Sequence, residues 1–154
     1  MRKILNLILI ASVLLTVSCS NAPKEKTSDV KKTKEVVDNK LSDNTVNILY
    51  FFGKRRCHTC VAIENQIKEI FASYKENTKV KLKLIDTSVE ANKSVVERYK
   101  VAFSTLLIVR VQDGVEHVSN QTSFAFTKAA SNPSLFKTNI KSIIDSGLKS
   151  INTK

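Results

Sequence analysis

Cys57 and Cys60 are the residues of this chain whose type and spacing most directly suggest chemistry. Two thiols three positions apart come within bonding reach if the segment between them turns, as the first turn of a helix does. The nucleophile is the thiolate, and a cysteine pKa of about 8.5 falls at a helix N-terminus or beside a cation. Lys54, Arg55 and Arg56 lie just before Cys57 and His58 just after it. Each favours the charged thiolate, which makes Arg56 and His58 candidate site residues. A redox dithiol of this kind needs no cofactor beyond its own Cys57–Cys60 disulfide. The same spacing also serves metals. Haem attachment requires a histidine after the second cysteine, and Val61 stands there. A structural zinc takes four ligands, and the folded part of the chain adds only His58, inside the motif, and His117, which reads as a hairpin residue without a role. Thiol binding of a soft ion (arsenite, copper(I) or zinc) by Cys57 and Cys60 stays open as the alternative.

The elements that must position these thiols can be read from periodicity. Asn47 to Phe52 is a continuous run of apolar and β-forming residues, which suits a strand buried on both faces. Gly53 breaks it, and from Cys57 to Lys75 the period becomes helical, with Val61, Ile63, Ile67, Ile70 and Phe71 as the stripe. Val80, Leu82 and Leu84 alternate with Lys81 and Lys83, a half-buried strand ending near Asp86. Ser88 is placed to cap a short helix running to about Tyr99. Thr105 to Val111 is a second apolar strand, Asp113-Gly114 a hairpin turn, and Val115 to Thr122 the return. Ser123 to Ala130 is ambiguous. Asn132-Pro133 opens a last helix whose stripe is Leu135, Phe136, Ile140, Ile143, Ile144 and Leu148. The order β-α-β-α-β-β-α implies an α/β fold. Its central mixed sheet has about four strands and flanking helices. Strands alternating with helices predict a parallel core with an antiparallel hairpin appended.

The N-terminal part reads differently. Arg2 and Lys3 precede an apolar run from Ile4 to Val17, shorter than the roughly 20 residues a membrane span needs. It fits residues 1–18 as a secretory signal peptide. Thr16-Val17-Ser18-Cys19 resembles a bacterial lipobox, so Cys19 is expected to carry the lipid. Acylation there would also account for the odd cysteine of three. Residues 19–45 then form a flexible linker with six lysines and five acids after Cys19 and no aromatic residue. As a coil it would reach about 25–30 Å. Residues 46–154 make the domain. The expected setting is the bacterial cell envelope, with the soluble, monomeric domain exported and held to a membrane through Cys19. The net charge of +11 favours anionic surfaces. No nucleic-acid motif accompanies it, so nucleic acid is not an expected partner.

A C-x-x-C at the first strand-to-helix junction of this order is similar to the thioredoxin-like fold. The resemblance covers about 100 residues. It implies a protein thiol or disulfide partner, with Cys57 as the sulfur that attacks a disulfide and Cys60 as the one that resolves the mixed disulfide. Three positions depart from thioredoxins. Arg56 stands where they carry tryptophan. Phe51 stands where they bury an acid, a role that Glu64 is near enough to take. Ser104 stands where they have a cis-proline opposite the dithiol, and a cis bond before a non-proline residue costs about 2.5–4 kcal/mol, so a trans peptide is expected. The run from Tyr50 to Glu64, with its R-C-x-T-C-x-x-I-E core, and Ser104 resemble a narrower group. These are small thioredoxin-fold lipoproteins of anaerobic bacteria, the nitrophenyl compound nitroreductase subunit ArsF family. That likeness implies electron transfer linked to nitroaromatic or arsenical handling, and a tethered oxidoreductase of this kind is expected to be fed by a membrane reductase.

Overall fold

The computed structural model describes residues 40–153. The signal peptide, Cys19 and most of the linker lie outside the described residues. The elements are β1 (Thr45–Phe52), α1 (His58–Ala72), β2 (Val80–Asp86), a 3-10 turn (Glu90–Asn92), α2 (Lys93–Arg98), β3 (Thr105–Gln112), β4 (Val115–Asn120), α3 (Thr122–Lys128) and α4 (Pro133–Asn152). No helix among them is long and apolar enough to cross a membrane.

The four strands form one sheet in the order β2-β1-β3-β4. β1 runs parallel to β2, and β3 runs antiparallel to β1 and to β4. This α/β mixed sheet, with the C-x-x-C at the β1–α1 junction, is thioredoxin-like. The predicted direction of β3 is corrected, since the expected parallel core ends at β2. The reason is the length of α2. Six helical residues rise only about 9 Å, too little to carry the chain back along a strand of about 23 Å. The chain therefore re-enters the sheet at the end where β2 left it, which brings Thr105 beside Phe51.

β1 is the central strand, buried from Thr45 to Phe51. Its alternate residues feed two cores. Val46, Ile48 and Tyr50 join Ile63, Ile67 and Ile70 of α1, Ala125 of α3, and Phe136, Ile140 and Ile144 of α4. Leu49 and Phe51 join Ile85, Val95, Leu107, Val109 and Val111 on the opposite face, under α2. Leu41 is buried in that second core. The packed unit therefore reaches into the stretch read as linker, and β1 begins one residue before the expected boundary. Val61, placed on the α1 stripe by its spacing, is instead 42% exposed.

Three local readings change. Ser88 does not cap a helix, because its amide and hydroxyl both donate to Asp86 Oδ1 at 2.9 and 2.7 Å, and the helical residues begin later. The return strand stops at Asn120, because Thr122 turns inward. Its Oγ1 accepts from the Leu106 amide at 3.1 Å and it opens α3, the ambiguous stretch. In the hairpin, Asp113 and Gly114 take φ of 55° and 73°, the left-handed pair that a two-residue type I′ connection requires. Asn132 caps α4 as expected, its Oδ1 accepting from the Leu135 amide at 3.1 Å with Pro133 in the first turn.

Candidate functional site

The C-terminal end of β1 delivers the chain through Gly53 and three cations to Cys57, the N-cap of α1. The Cys57 backbone is extended, at φ −76° and ψ 165°, and its sulfur accepts from the Cys60 amide at 3.2 Å. An N-cap side chain that accepts an otherwise unpaired first-turn amide is the ordinary work of serine or aspartate; here a sulfur does it. The two Sγ atoms lie 2.7 Å apart, both cysteines being free thiols. Cys57 is exposed and Cys60 is 6% exposed. One sulfur faces solvent and the other waits behind it.

The Cys57 thiol is pulled below the ordinary range, first by its hydrogen bond with Cys60 and next by the first-turn amides. Those amides also sit at the positive end of the helix dipole. Arg56, expected to favour the thiolate, makes its contacts with neighbouring side chains. Its guanidinium pairs with Glu64 and lies over the Phe52 ring, 4.5 Å from the centroid. His58 is exposed as the first residue of α1.

Glu64, near enough by sequence to take the place of the buried acid, pairs with Arg56 and Lys68. Burial pushes its carboxyl up, but hydrogen bonds from Lys68 and Arg56 outweigh that and hold it below the ordinary carboxylate range. Its work is to hold Arg56. Phe51, at the position of the acid, is fully buried and meets Tyr99 edge-on, with centroids 6.0 Å apart.

Ser104 stands across from the dithiol, its hydroxyl 3.8 Å from Cys60 Sγ. Its peptide is trans, as are all those described. Tyr50 is the residue that sequence reasoning missed, having been read as core alone. Its ring is fully buried, and its hydroxyl donates to the Cys60 carbonyl at 2.9 Å. Burial and the neighbouring Cys60 push that phenol up to about 12, while a hydrogen bond from Arg56 works the other way. Glu64, Arg56 and Tyr50 thus form a chain of contacts ending on the residue that carries the inner sulfur. The only signal in the sequence was a tyrosine, with its polar tip, inside an otherwise apolar strand. Tyr50→Phe is expected to cost about 1 kcal/mol of stability, the net worth of one buried hydrogen bond, seen as a lower denaturant midpoint.

For a metal, the two thiols are what this site offers. His117 pairs with Arg110, which pairs with Val46 at the far end of β1, about 20 Å of strand away.

The thiolate makes a pH prediction. Alkylation of Cys57 by iodoacetamide should reach half its maximal rate below pH 8.5, the ordinary thiol value. The linkage has the sign of a depressed acid. Its stabilisation is fully present above the unfolded thiol's pKa and is lost as pH falls through the folded one. Alkylation followed by mass spectrometry from pH 5 to 10 reads the first, and a midpoint above 8.5 contradicts it.

No protein-family model matches this chain, and no curated protein is similar to it. Among solved structures it is similar to a thioredoxin from Fasciola hepatica, at 21% identity over 71% of this chain and 84% of that one, with a TM-score of 0.42. A thioredoxin from Trypanosoma brucei brucei is 19% identical over 68% of this chain and 79% of its own, with a TM-score of 0.43. A malarial protein is 20% identical over 55% and 94%, with a TM-score of 0.38. The fold class rests on the sheet order and the place of the dithiol.

Proposed function

We propose that this protein is a membrane-tethered thiol–disulfide oxidoreductase of the bacterial cell envelope. One observation carries the reading: an exposed Cys57 sulfur, 2.7 Å from the Cys60 sulfur, at the amide end of α1. Cys57 attacks a partner disulfide and Cys60 resolves the mixed disulfide. Two electrons pass to the partner, and a disulfide is left between Cys57 and Cys60. A lipid on Cys19 and the charged segment after it would hold the domain near a membrane reductase that renews the dithiol. The likeness of residues 50–64 to the nitroreductase subunit group supports a link with nitroaromatic or arsenical handling.

The decisive experiment is affinity capture of Cys60→Ser protein from its own cells. With the resolving sulfur gone, a partner is expected to remain joined to Cys57 and to leave on treatment with dithiothreitol. Recovery of no reducible adduct contradicts the reading. A second reading, binding of a soft ion, is favoured by one feature. A serine hydroxyl, not a proline ring, lies beside Cys60. Arsenite binding lost equally in Cys57→Ser and Cys60→Ser, with no trapped partner, would select it.

A further inference from the structure

The dithiol lies between two loops whose charge is of one sign. From Gly53 to Ile63 the chain carries Lys54, Arg55 and Arg56 and no acid. The loop that crosses from α2 to β3 brings Lys100 and no acid before it reaches Ser104. Arg56 is neutralised by Glu64, which Lys68 also holds. Asp86, the acid at this end of β2, keeps its charge while its Oδ1 accepts from Ser88, and Lys54, Arg55 and Lys100 outnumber it. Lys54 and Arg55 are exposed. They therefore set the field that an approaching molecule meets at Cys57. The same rim is apolar where it is not basic. Phe103, one residue before the serine that touches Cys60, is 68% exposed, and Val61, one residue after Cys60, is 42% exposed. This large ring, left in water one residue from the serine at Cys60, belongs to neither core.

We propose that this rim, Lys54 and Arg55 with Phe103 and Val61, selects an acidic, disulfide-bearing polypeptide segment, one that places carboxylates on the cations and an apolar side chain on Phe103. The inference rests on the oxidoreductase reading and adds the class of its substrate. The step it governs is an exchange. The Cys57 thiolate forms a bond to one sulfur of the segment's disulfide, and the other sulfur leaves as thiolate. The Cys60 thiolate then attacks Cys57 and releases the second. The segment gains two electrons and the protein loses them. Charge complementarity of this kind acts on the encounter rate, by 10-fold or more at low ionic strength, and fades as salt shortens the screening length.

The test uses the reduced full chain and three disulfides. One is a peptide whose disulfide is flanked by aspartates and a leucine. The second has lysines in place of the aspartates. The third is hydroxyethyl disulfide, a neutral small molecule. At about 20 mM salt the acidic peptide is expected to react at least ~10-fold faster than the basic one, and the gap to close near 0.5 M salt. The double variant Lys54→Glu/Arg55→Glu is expected to reverse the preference, each rate being taken relative to that variant's own rate with hydroxyethyl disulfide. Phe103→Ser is expected to slow both peptides on the same scale. Normal exchange with hydroxyethyl disulfide but equal peptide rates overturns this inference alone, as does an acidic preference that survives charge reversal. No exchange with hydroxyethyl disulfide overturns the oxidoreductase reading, and this one with it.

Discussion

Cys57→Ser is expected to bring disulfide exchange down to the uncatalysed background while the protein stays folded. Thiol–disulfide exchange requires a sulfur that can attack as thiolate and later leave as one. A serine hydroxyl does neither near neutral pH. The fold survives because Cys57 is exposed, and its structural work, accepting the Cys60 amide, is work that serine does well at a helix N-cap. Thermal unfolding is expected to stay within about 0.5 kcal/mol of the parent. Cys60→Ser behaves differently. The outer thiol is still present, so the first attack proceeds at a rate comparable to the parent's. The mixed disulfide then persists, because no second sulfur lies within reach. A stopped reaction with a small aromatic disulfide, analysed by mass, separates the cases. Cys57→Ser yields no adduct at this site, Cys60→Ser one stable adduct, and the parent an internal disulfide. Equal adducts on both variants would mean that the two sulfurs act independently.

Phe136→Ala is expected to have the largest effect on stability, about 3–5 kcal/mol. The ring is fully buried among α1, α3 and α4 residues, and stacks on Phe124 at a centroid distance of 6.2 Å. Its loss leaves a cavity that α1 and α4 cannot close without moving off the sheet. Domains of this size are stable by only 5–15 kcal/mol, so a substantial part of the total is removed. Urea unfolding followed by circular dichroism reads it as a fall in the midpoint at unchanged slope. Leu135→Ala is the control. That neighbour is 45% exposed and is expected to shift stability by no more than about 0.5 kcal/mol. A similar loss for both variants would place the wrong face of α4 against the sheet.

Sequence pattern revealed the elements more clearly than their directions. The run 48–52 is apolar at successive positions because β1 is covered on both sides, and that needs no tertiary information to read. Asp113-Gly114 demands positive φ at both residues and so announces its own turn. The direction of β3 is another matter, because periodicity reports a strand without saying which way it runs. It goes with the shortness of α2, six residues between β2 and β3. The site divides in the same way. The pairing of Cys57 with Cys60 is a backbone consequence legible from spacing, whereas Ser104 was legible only through the resemblance, since a parallel β3 would have begun at the other end of the sheet. The fate of Arg56 is not legible, because a long side chain chooses among partners. Here it takes Glu64, two turns along α1, and the ring of Phe52. Tyr50 was hidden for the opposite reason, since a buried aromatic in a strand looks the same whether or not its hydroxyl reaches a functional residue.

A redox titration with peptide mapping tests the dithiol most directly. The reduced chain is equilibrated in glutathione buffers of graded ratio, quenched by alkylation and digested. Cys57 and Cys60 are expected to become unreactive together, joined in one internal disulfide, along a single two-electron curve. Two separate curves, each ending in a glutathione adduct on its own cysteine, would contradict the account.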